Sequence, residues 1–389
     1  MNVLLTNPPA PKPQTREGRC TQSGGYWQTT WPPLSLATLS ALLRCAQHQV
    51  SVLDCANLRT DLETFLNQAA AAQPDVIIWP VGNVSPDADL SLSQMLRELV
   101  PHVRSIVFGT FVGKLAQACI ARYPEIDAVV LAEPEGPVLD LVNAWDSGNA
   151  DACIKGTWTR SHMSRPHESR ENITDLDALP FPAWDLVGPR KYCLPLSGRP
   201  FLMAAPSRGC PFLCSFCTSA AYYGKQVRKR SPGGFVDELE RNVKDFGVYD
   251  FLFWSDTFTV VRSHVLSICE EISRRNLRIK WTCNSRVDTI DEEMIKEMAT
   301  AGCWMISFGI ESSSQDVQER AGKKIDPVLL NGTLAAANRK GILCAGHFII
   351  GLPGETQESA MRTIGVACSL PLQFAQFYAA APWPGSRLF

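Results

Sequence analysis

The stretch Ser207-Arg208-Gly209-Cys210-Pro211-Phe212-Leu213-Cys214-Ser215-Phe216-Cys217 places three cysteines on one short loop, directly after the apolar run 201–205. Three thiolates can hold three irons of a four-iron, four-sulfur cube, and no fourth cysteine stands nearby to close the last iron. An iron without a protein ligand can bind a substrate, which separates this pattern from electron-transfer ferredoxins. The alternative, a structural zinc site, wants four ligands, usually as two separated pairs. The next cysteine is Cys269, and no histidine-rich pair follows.

From residue 201 onward, apolar runs alternate with amphipathic stretches. Strands are expected at 201–205, 251–254, 280–283, 304–310, 343–350 and 374–381, with helices at about 233–246, 262–275, 291–301, 327–340 and 356–368. Six such units predict a partial (βα)6 barrel with its site at the carboxyl ends of the strands, where the cysteine loop also lies. Residues 1–146 carry a second series, with strands expected at 3–5, 50–53, 76–79, 106–108 and 128–131. Helices between parallel strands predict a Rossmann-like, doubly wound parallel sheet, whose ligands bind beyond the carboxyl edge. The loops there are 6–33, 80–87 and 109–113, and the first is long enough to suggest function. Residues 147–200 are rich in Ser, Arg, Asp and Pro, and prolines this dense break long helices and central strands. They read as an ordered interdomain linker, its aromatics tacking it to one domain.

The Cys-x3-Cys-x2-Cys loop resembles the hallmark of the radical S-adenosylmethionine (SAM) superfamily. The resemblance implies a [4Fe-4S] cluster on Cys210, Cys214 and Cys217, with SAM chelating the open iron and being cleaved to a 5′-deoxyadenosyl radical. It places Phe216 near the adenine. Ser255-Asp256-Thr257-Phe258 resembles the family's Asp-Asp-x-Phe segment, with Ser255 replacing the first acid, so Asp256 alone would accept from the SAM ammonium. Arg286 is expected to hold the methionyl carboxylate, since a guanidinium matches a carboxylate. Gly309-Ile310-Glu311-Ser312 matches Gly-x-Glu-Ser and puts Glu311 at the ribose. Gly351 would let backbone approach the adenine.

Asn7-Pro8-Pro9, the Gly109–Gly113 loop and the segment 129–135 are similar to the cobalamin-binding domain found in front of many radical SAM enzymes, as is Leu179-Pro180-Phe181-Pro182-Ala183-Trp184-Asp185. The resemblance implies cobalamin contacts at Asn7, Gly109 and Gly113. The Asp-x-His-x-x-Gly motif that supplies a lower cobalt ligand in many cobalamin proteins is absent, and His48 and His102 fall at the opposite edge of the sheet.

The implied activity is a cobalamin-dependent radical SAM methyltransferase acting on an unreactive carbon. Cyclisation or rearrangement with the same architecture is one alternative, and an inactive cluster- or cobalamin-binding scaffold is another. A tRNA methylthiotransferase-like enzyme would need further cluster cysteines in the first domain, and Cys20, Cys45, Cys55 and Cys119 share no loop. The net charge of −2 over 389 residues gives no basic field for nucleic acid. No apolar run spans a bilayer, and the start is no signal peptide. Fourteen cysteines without an export signal point to a reducing cytoplasm, and an exposed cluster iron to oxygen sensitivity. The expected partners are an external electron donor, such as flavodoxin or ferredoxin, and an unidentified small-molecule or peptide substrate. The chain stops just past the sixth strand of the barrel domain (201–389), where relatives continue into a C-terminal extension, which is expected to be absent here.

Overall fold

The computed structural model describes residues 1–10, 14–18, 20–23, 30–163, 168–195 and 197–389. The expected loop 6–33 therefore lies partly outside the described residues. The chain divides into two compact units, residues 1–200 with 221–223, and residues 201–220 with 224–389.

The first unit is built on six strands: β1 (Asn2–Asn7), β2 (Gln49–Asp54), β3 (Val76–Pro80), β4 (Arg104–Phe108), β5 (Ala128–Val130) and β6 (Thr157–Thr159). Their order is β2-β1-β3-β4-β5-β6, all parallel except β6, which runs antiparallel to β5. The first five follow the flavodoxin-like order, and the strand sequence reverses between β1 and β3. Both faces are covered, so the central strands are apolar throughout. On one side Val3, Leu5, Val76 and Ile78 pack on Leu36, Leu39 and Leu43 of the helix Leu34–Cys45 and on Val138, Leu141 and Val142 of Glu135–Asp146. On the other, Leu4, Ile77, Trp79 and Val107 pack on Phe65, Leu90, Leu96 and Ile120. Each fully buried Leu, Ile or Phe contributes about 1.5–3 kcal/mol by leaving water.

Strand β6 and the short hairpin Gln14–Glu17/Cys20–Ser23 are elements the sequence pattern did not call for. Residues 147–200 lie in this unit. They supply β6, a fully buried Trp184 and a backbone hydrogen bond from Ala183 N–H to Ala37 O (2.9 Å).

The second unit carries β7 (Phe201–Ala204), β8 (Asp250–Phe253), β9 (Lys280–Ser285), β10 (Cys303–Glu311), β11 (Leu343–Ile350) and β12 (Phe374–Ala379), all parallel and in sequential order. The sheet is open at β7 and β12, a partial barrel. Phe253 stacks on Trp281 (4.4 Å between centroids) and meets Phe235 of the helix Pro232–Phe246 edge-on. Phe308 and Phe348 are fully buried and share this helix-side face. The alternate positions Asn284, Ser307, Gly309 and His347 are register partners and line the concave face. Among the described residues no helix is long and apolar enough to cross a membrane.

Candidate active site

The cysteine loop is held from both flanks. Ser207 and Arg208 pair antiparallel with Lys229 and Arg228. The Cys210 N–H donates to Gly224 O (3.2 Å), the Ser215 N–H to Ala321 O (2.8 Å), and Ser215 O accepts from Leu388 N–H (2.8 Å). Between the flanks, Gly209 sits at φ +91°, and a Cβ there would lie 2.2 Å from Gln226 O. Only glycine satisfies both the left-handed backbone and that approach. We therefore expect Gly209→Ala to displace the loop. The backbone conformation alone should cost about 1–3 kcal/mol, read as a lower midpoint in thermal unfolding and a lower iron content after reconstitution.

All three loop cysteines are free thiols. Cys210 is buried, with Sγ 3.8 Å from Thr257 Oγ1, and the Ser219 N–H points at Cys217 Sγ (3.4 Å). Burial pushes the thiols of Cys210 and Cys214 above the ordinary value of 9.0, at Cys214 against the pull of the Lys323 and Arg286 charges. Bound iron supplies the positive charge that deprotonates a coordinating thiol. Among the described residues no three His, Cys, Asp or Glu side chains converge on a single-ion site. The buried hydroxyls of Ser215 and Ser219, on the same loop, have no hydrogen-bond partner among the described residues. Three spread thiols with orphaned donors between and beside them fit a polynuclear cluster, which presents several sulfur acceptors, better than one ion.

The expected SAM residues stand at the carboxyl ends of successive strands. Asp256, after β8, accepts from the Gly209 N–H at Oδ2 (3.0 Å), so it also braces the loop. Ser255, in the position of the missing acid, is buried and hydrogen-bonded to the Ser207 hydroxyl and carbonyl. Arg286, after β9, is paired bidentately with Asp288 (Nε–Oδ1 2.8 Å, Nη2–Oδ2 2.6 Å). Its guanidinium lies 3.8 Å above the Phe212 ring, and Nη1 points at Cys214 Sγ (3.8 Å). Glu311, ending β10, is buried and paired with Lys323 (2.8 Å). Phe216 packs against the apolar cluster of Val317, Ala321 and Leu352. Gly351, after β11, takes φ +95° with no close neighbour, so its backbone angle, not crowding, calls for glycine.

Two features on the concave side escaped the sequence reading. Lys323 sits in Ala321-Gly322-Lys323-Lys324, where two adjacent lysines look like a solvated turn; no local pattern marks the first as buried. His347 bonds the Tyr378 hydroxyl through Nδ1 (2.9 Å), and burial lowers its pKa below the ordinary 6.5.

In the first unit Asn7 ends β1, opposite Asp54. Its amide donates to Asp54 Oδ1 (3.0 Å) and Gln14 O (3.3 Å) and accepts from Arg16 Nη1 (3.0 Å), and the residue is fully buried. The side chain expected to meet cobalamin thus spends both of its N–H donors on closing the sheet edge. Gly109 and Gly113 have packing reasons for lacking a side chain. A Cβ would meet Val81 O at 2.7 Å in the first case and Leu131 O at 2.6 Å in the second. Beyond β5, Ala132, Glu133, Gly136, Arg170 and Asn172 line a small, partly open cleft. His48 uses both ring nitrogens, on Asn143 (2.9 Å) and the N-terminus (3.3 Å), and so cannot ligate cobalt as it stands.

The radical SAM superfamily profile matches residues 205–367. The uncharacterized methyltransferase PH0819 of Pyrococcus horikoshii is 34% identical over 394 residues, covering 100% of this chain and 82% of the relative. The chain belongs to the radical SAM superfamily. It is a radical SAM enzyme. The anaerobic magnesium-protoporphyrin IX monomethyl ester cyclase of Cereibacter sphaeroides is 26% identical, covering 92% of this chain and 60% of the cyclase. Among solved structures, the radical SAM methyltransferase TsrM of Kitasatospora setae, with cobalamin and a [4Fe-4S] cluster bound, superposes with a TM-score of 0.78 at 18% identity. That match covers 99% of this chain and 76% of TsrM. At that identity the likeness concerns the fold: a doubly wound sheet followed by a partial barrel.

Proposed function

We propose that this radical SAM enzyme is a cobalamin-dependent methyltransferase acting on an unreactive carbon. The observation that carries the reading is the loop of three free thiols at the carboxyl rim of the barrel, with no fourth cysteine to close the cluster. The end-to-end similarity to a protein named a methyltransferase supports methyl transfer. When bound, the cluster, SAM and cobalamin supply the one-electron cleavage and the transferable methyl group. The protein's share is to bind, orient and shield them.

In this account Cys210, Cys214 and Cys217 are the iron ligands. Asp288 fixes Arg286 so that its remaining Nη1 donors face the cluster side, where they would take the SAM carboxylate. Glu311 offers its second oxygen to the ribose hydroxyls, and Asp256, which also holds the Gly209 N–H, is the acid that would accept from the ammonium. Phe216 and Gly351 present an apolar ring and bare backbone to the adenine. Residues 1–146 would take cobalamin at the carboxyl edge of their sheet, through the loops around Gly109 and Glu133, with Asn7 shaping that edge from within. The alignment with the cyclase favours ring formation as the second reading.

The test is anaerobic reconstitution with iron, sulfide and hydroxocobalamin, desalting, and a visible spectrum, then reduction of the cobalt with titanium(III) citrate and incubation with SAM carrying a deuterated methyl group. Stoichiometric cobalamin that acquires the deuterated methyl is expected. Cobalamin that stays unlabelled beside an intact cluster would favour the cyclase reading, and an intact cluster with no retained cobalamin would remove cobalamin from the account.

A further inference from the structure

Two buried cations face the middle cysteine of the loop, and one of them has no place in the roles above. Arg286 reaches Cys214 Sγ through Nη1 and has its own counter-ion in Asp288. Lys323 arrives from the other side. Gly322, at φ +69°, lies against the loop so closely that a Cβ would be 3.0 Å from Leu213 O and 3.9 Å from Cys214 Cα. The neighbouring Ala321 carbonyl binds the Ser215 N–H. The turn after the helix Gln315–Arg320 is therefore strapped to the cysteine loop, and Lys323 cannot drift from it.

The partner of Lys323 is fixed just as firmly. Its ammonium pairs with Glu311 at 2.8 Å, the two side chains being 6% and 9% exposed. Glu311 adopts φ +67°, the left-handed region that a non-glycine residue enters at a cost. Such strain persists where the surroundings over-determine it and clusters at functional sites. Position 309 must be glycine for the pair to exist: a Cβ would lie 2.5 Å from Lys323 Nζ and 2.6 Å from Glu311 Oε1. The strap that seats Gly322 and Ala321 on the loop thereby keeps the Lys323–Glu311 pair beside Cys214 as well.

We propose that the buried Lys323–Glu311 pair sets the reduction potential of the cluster on the three cysteines, with Lys323 the stabilising and Glu311 the opposing charge. This rests on the cluster assignment made above. Reduction adds one electron from a low-potential donor and breaks no bond, so the reduced cluster is one unit more negative. A fixed cation near Cys214 favours that state and a fixed anion disfavours it, by amounts that low dielectric enlarges. Lys323 is a positioning residue: it acts through the charge it presents and through the place it gives Glu311.

The test is a potentiometric titration of the reconstituted full chain without SAM, with dithionite as reductant and the reduced cluster followed by electron paramagnetic resonance. Lys323→Met should make reduction at least tenfold less favourable in the one-electron equilibrium, a fall of about 59 mV. Glu311→Gln should move the potential the opposite way. The double variant should return towards the wild-type value, and Lys323→Arg should stay near it. If Lys323→Met does not fold, the Glu311→Gln and double variants carry the same comparison. Shifts of one sign in both single variants, or no shift in either with an intact cluster signal, would overturn the proposal. A wild-type protein that assembles no four-iron cluster would overturn the underlying assignment as well, and is told apart by its missing signal.

Discussion

Cys214→Ala should leave a protein that folds but holds no four-iron cluster after anaerobic reconstitution. Cys214 is the middle of the three proposed ligands, and its backbone carbonyl accepts the Cys217 N–H (3.1 Å), so the turn survives removal of the sulfur. What would be lost is one of the three proposed iron ligands, and no other cysteine shares the loop to replace it. Removing an outer partner of a metal ligand already costs about 10–100-fold in affinity, and losing a ligand should cost more than about 100-fold. The check is iron and sulfide per chain together with the visible absorbance of the cluster. The variant's unfolding midpoint, measured without metal, should stay near that of the metal-free wild type. Full iron content in the variant would remove Cys214 from the cluster.

Arg16→Met should be the most damaging single change to the first unit. Arg16 and Asp89 form a bidentate pair (2.6 and 2.8 Å) with side chains 1% exposed each, and Arg16 also donates to the Asn7 amide oxygen and to Pro8 O. Methionine fills part of the space and leaves Asp89 with the Gly82 N–H (2.8 Å) as its donor. A buried carboxylate stripped of its cation typically costs about 3–5 kcal/mol. For a unit of about this size that corresponds to roughly 6–20 °C in the unfolding midpoint, at about 2–4 °C per kcal/mol. The two units need not unfold together, so the transition must be assigned to the first one, for example by hydrogen exchange in β1 and β3. The double variant Arg16→Met/Asp89→Leu should recover most of the loss, because a well-packed apolar pair can replace a buried ion pair. A single-variant loss below about 1 kcal/mol would place the Arg16–Asp89 pair among weakly contributing surface contacts.

The strand frame was legible because buried parallel strands read as short apolar runs, and Val76-Ile77-Ile78-Trp79 or Phe251-Leu252-Phe253 have few other interpretations. The cysteine loop was legible because three thiols at fixed spacing carry their chemistry in sequence. What did not show was anything decided by distant partners. Strand β6 is three residues, Thr157-Trp158-Thr159, in a stretch otherwise rich in Ser and Arg, and its pairing with β5 is a tertiary event. Asn7 ends the first strand as expected of a ligand-edge residue, yet Asp54, Gln14 and Arg16 occupy both of its amide N–H donors and one acceptor position, partners that no local pattern announces. Lys323 and Glu311 are twelve residues apart, and nothing local says that one lysine of two turns inward. Likewise Asp288 could be read beside Arg286, but not that it would hold the guanidinium over Phe212. Glycines divide the same way: Gly351 answers to its own backbone angle, whereas Gly209 and Gly309 answer to atoms brought by other segments.

The central claim, that this chain uses SAM reductively at an open cluster iron, is tested most directly by one assay. The reconstituted wild-type protein is incubated anaerobically with SAM and dithionite, and 5′-deoxyadenosine is quantified by liquid chromatography. The account predicts its formation in proportion to cluster content, together with methionine, and its absence in Cys214→Ala. An intact, reducible cluster that leaves SAM uncleaved to 5′-deoxyadenosine would contradict it.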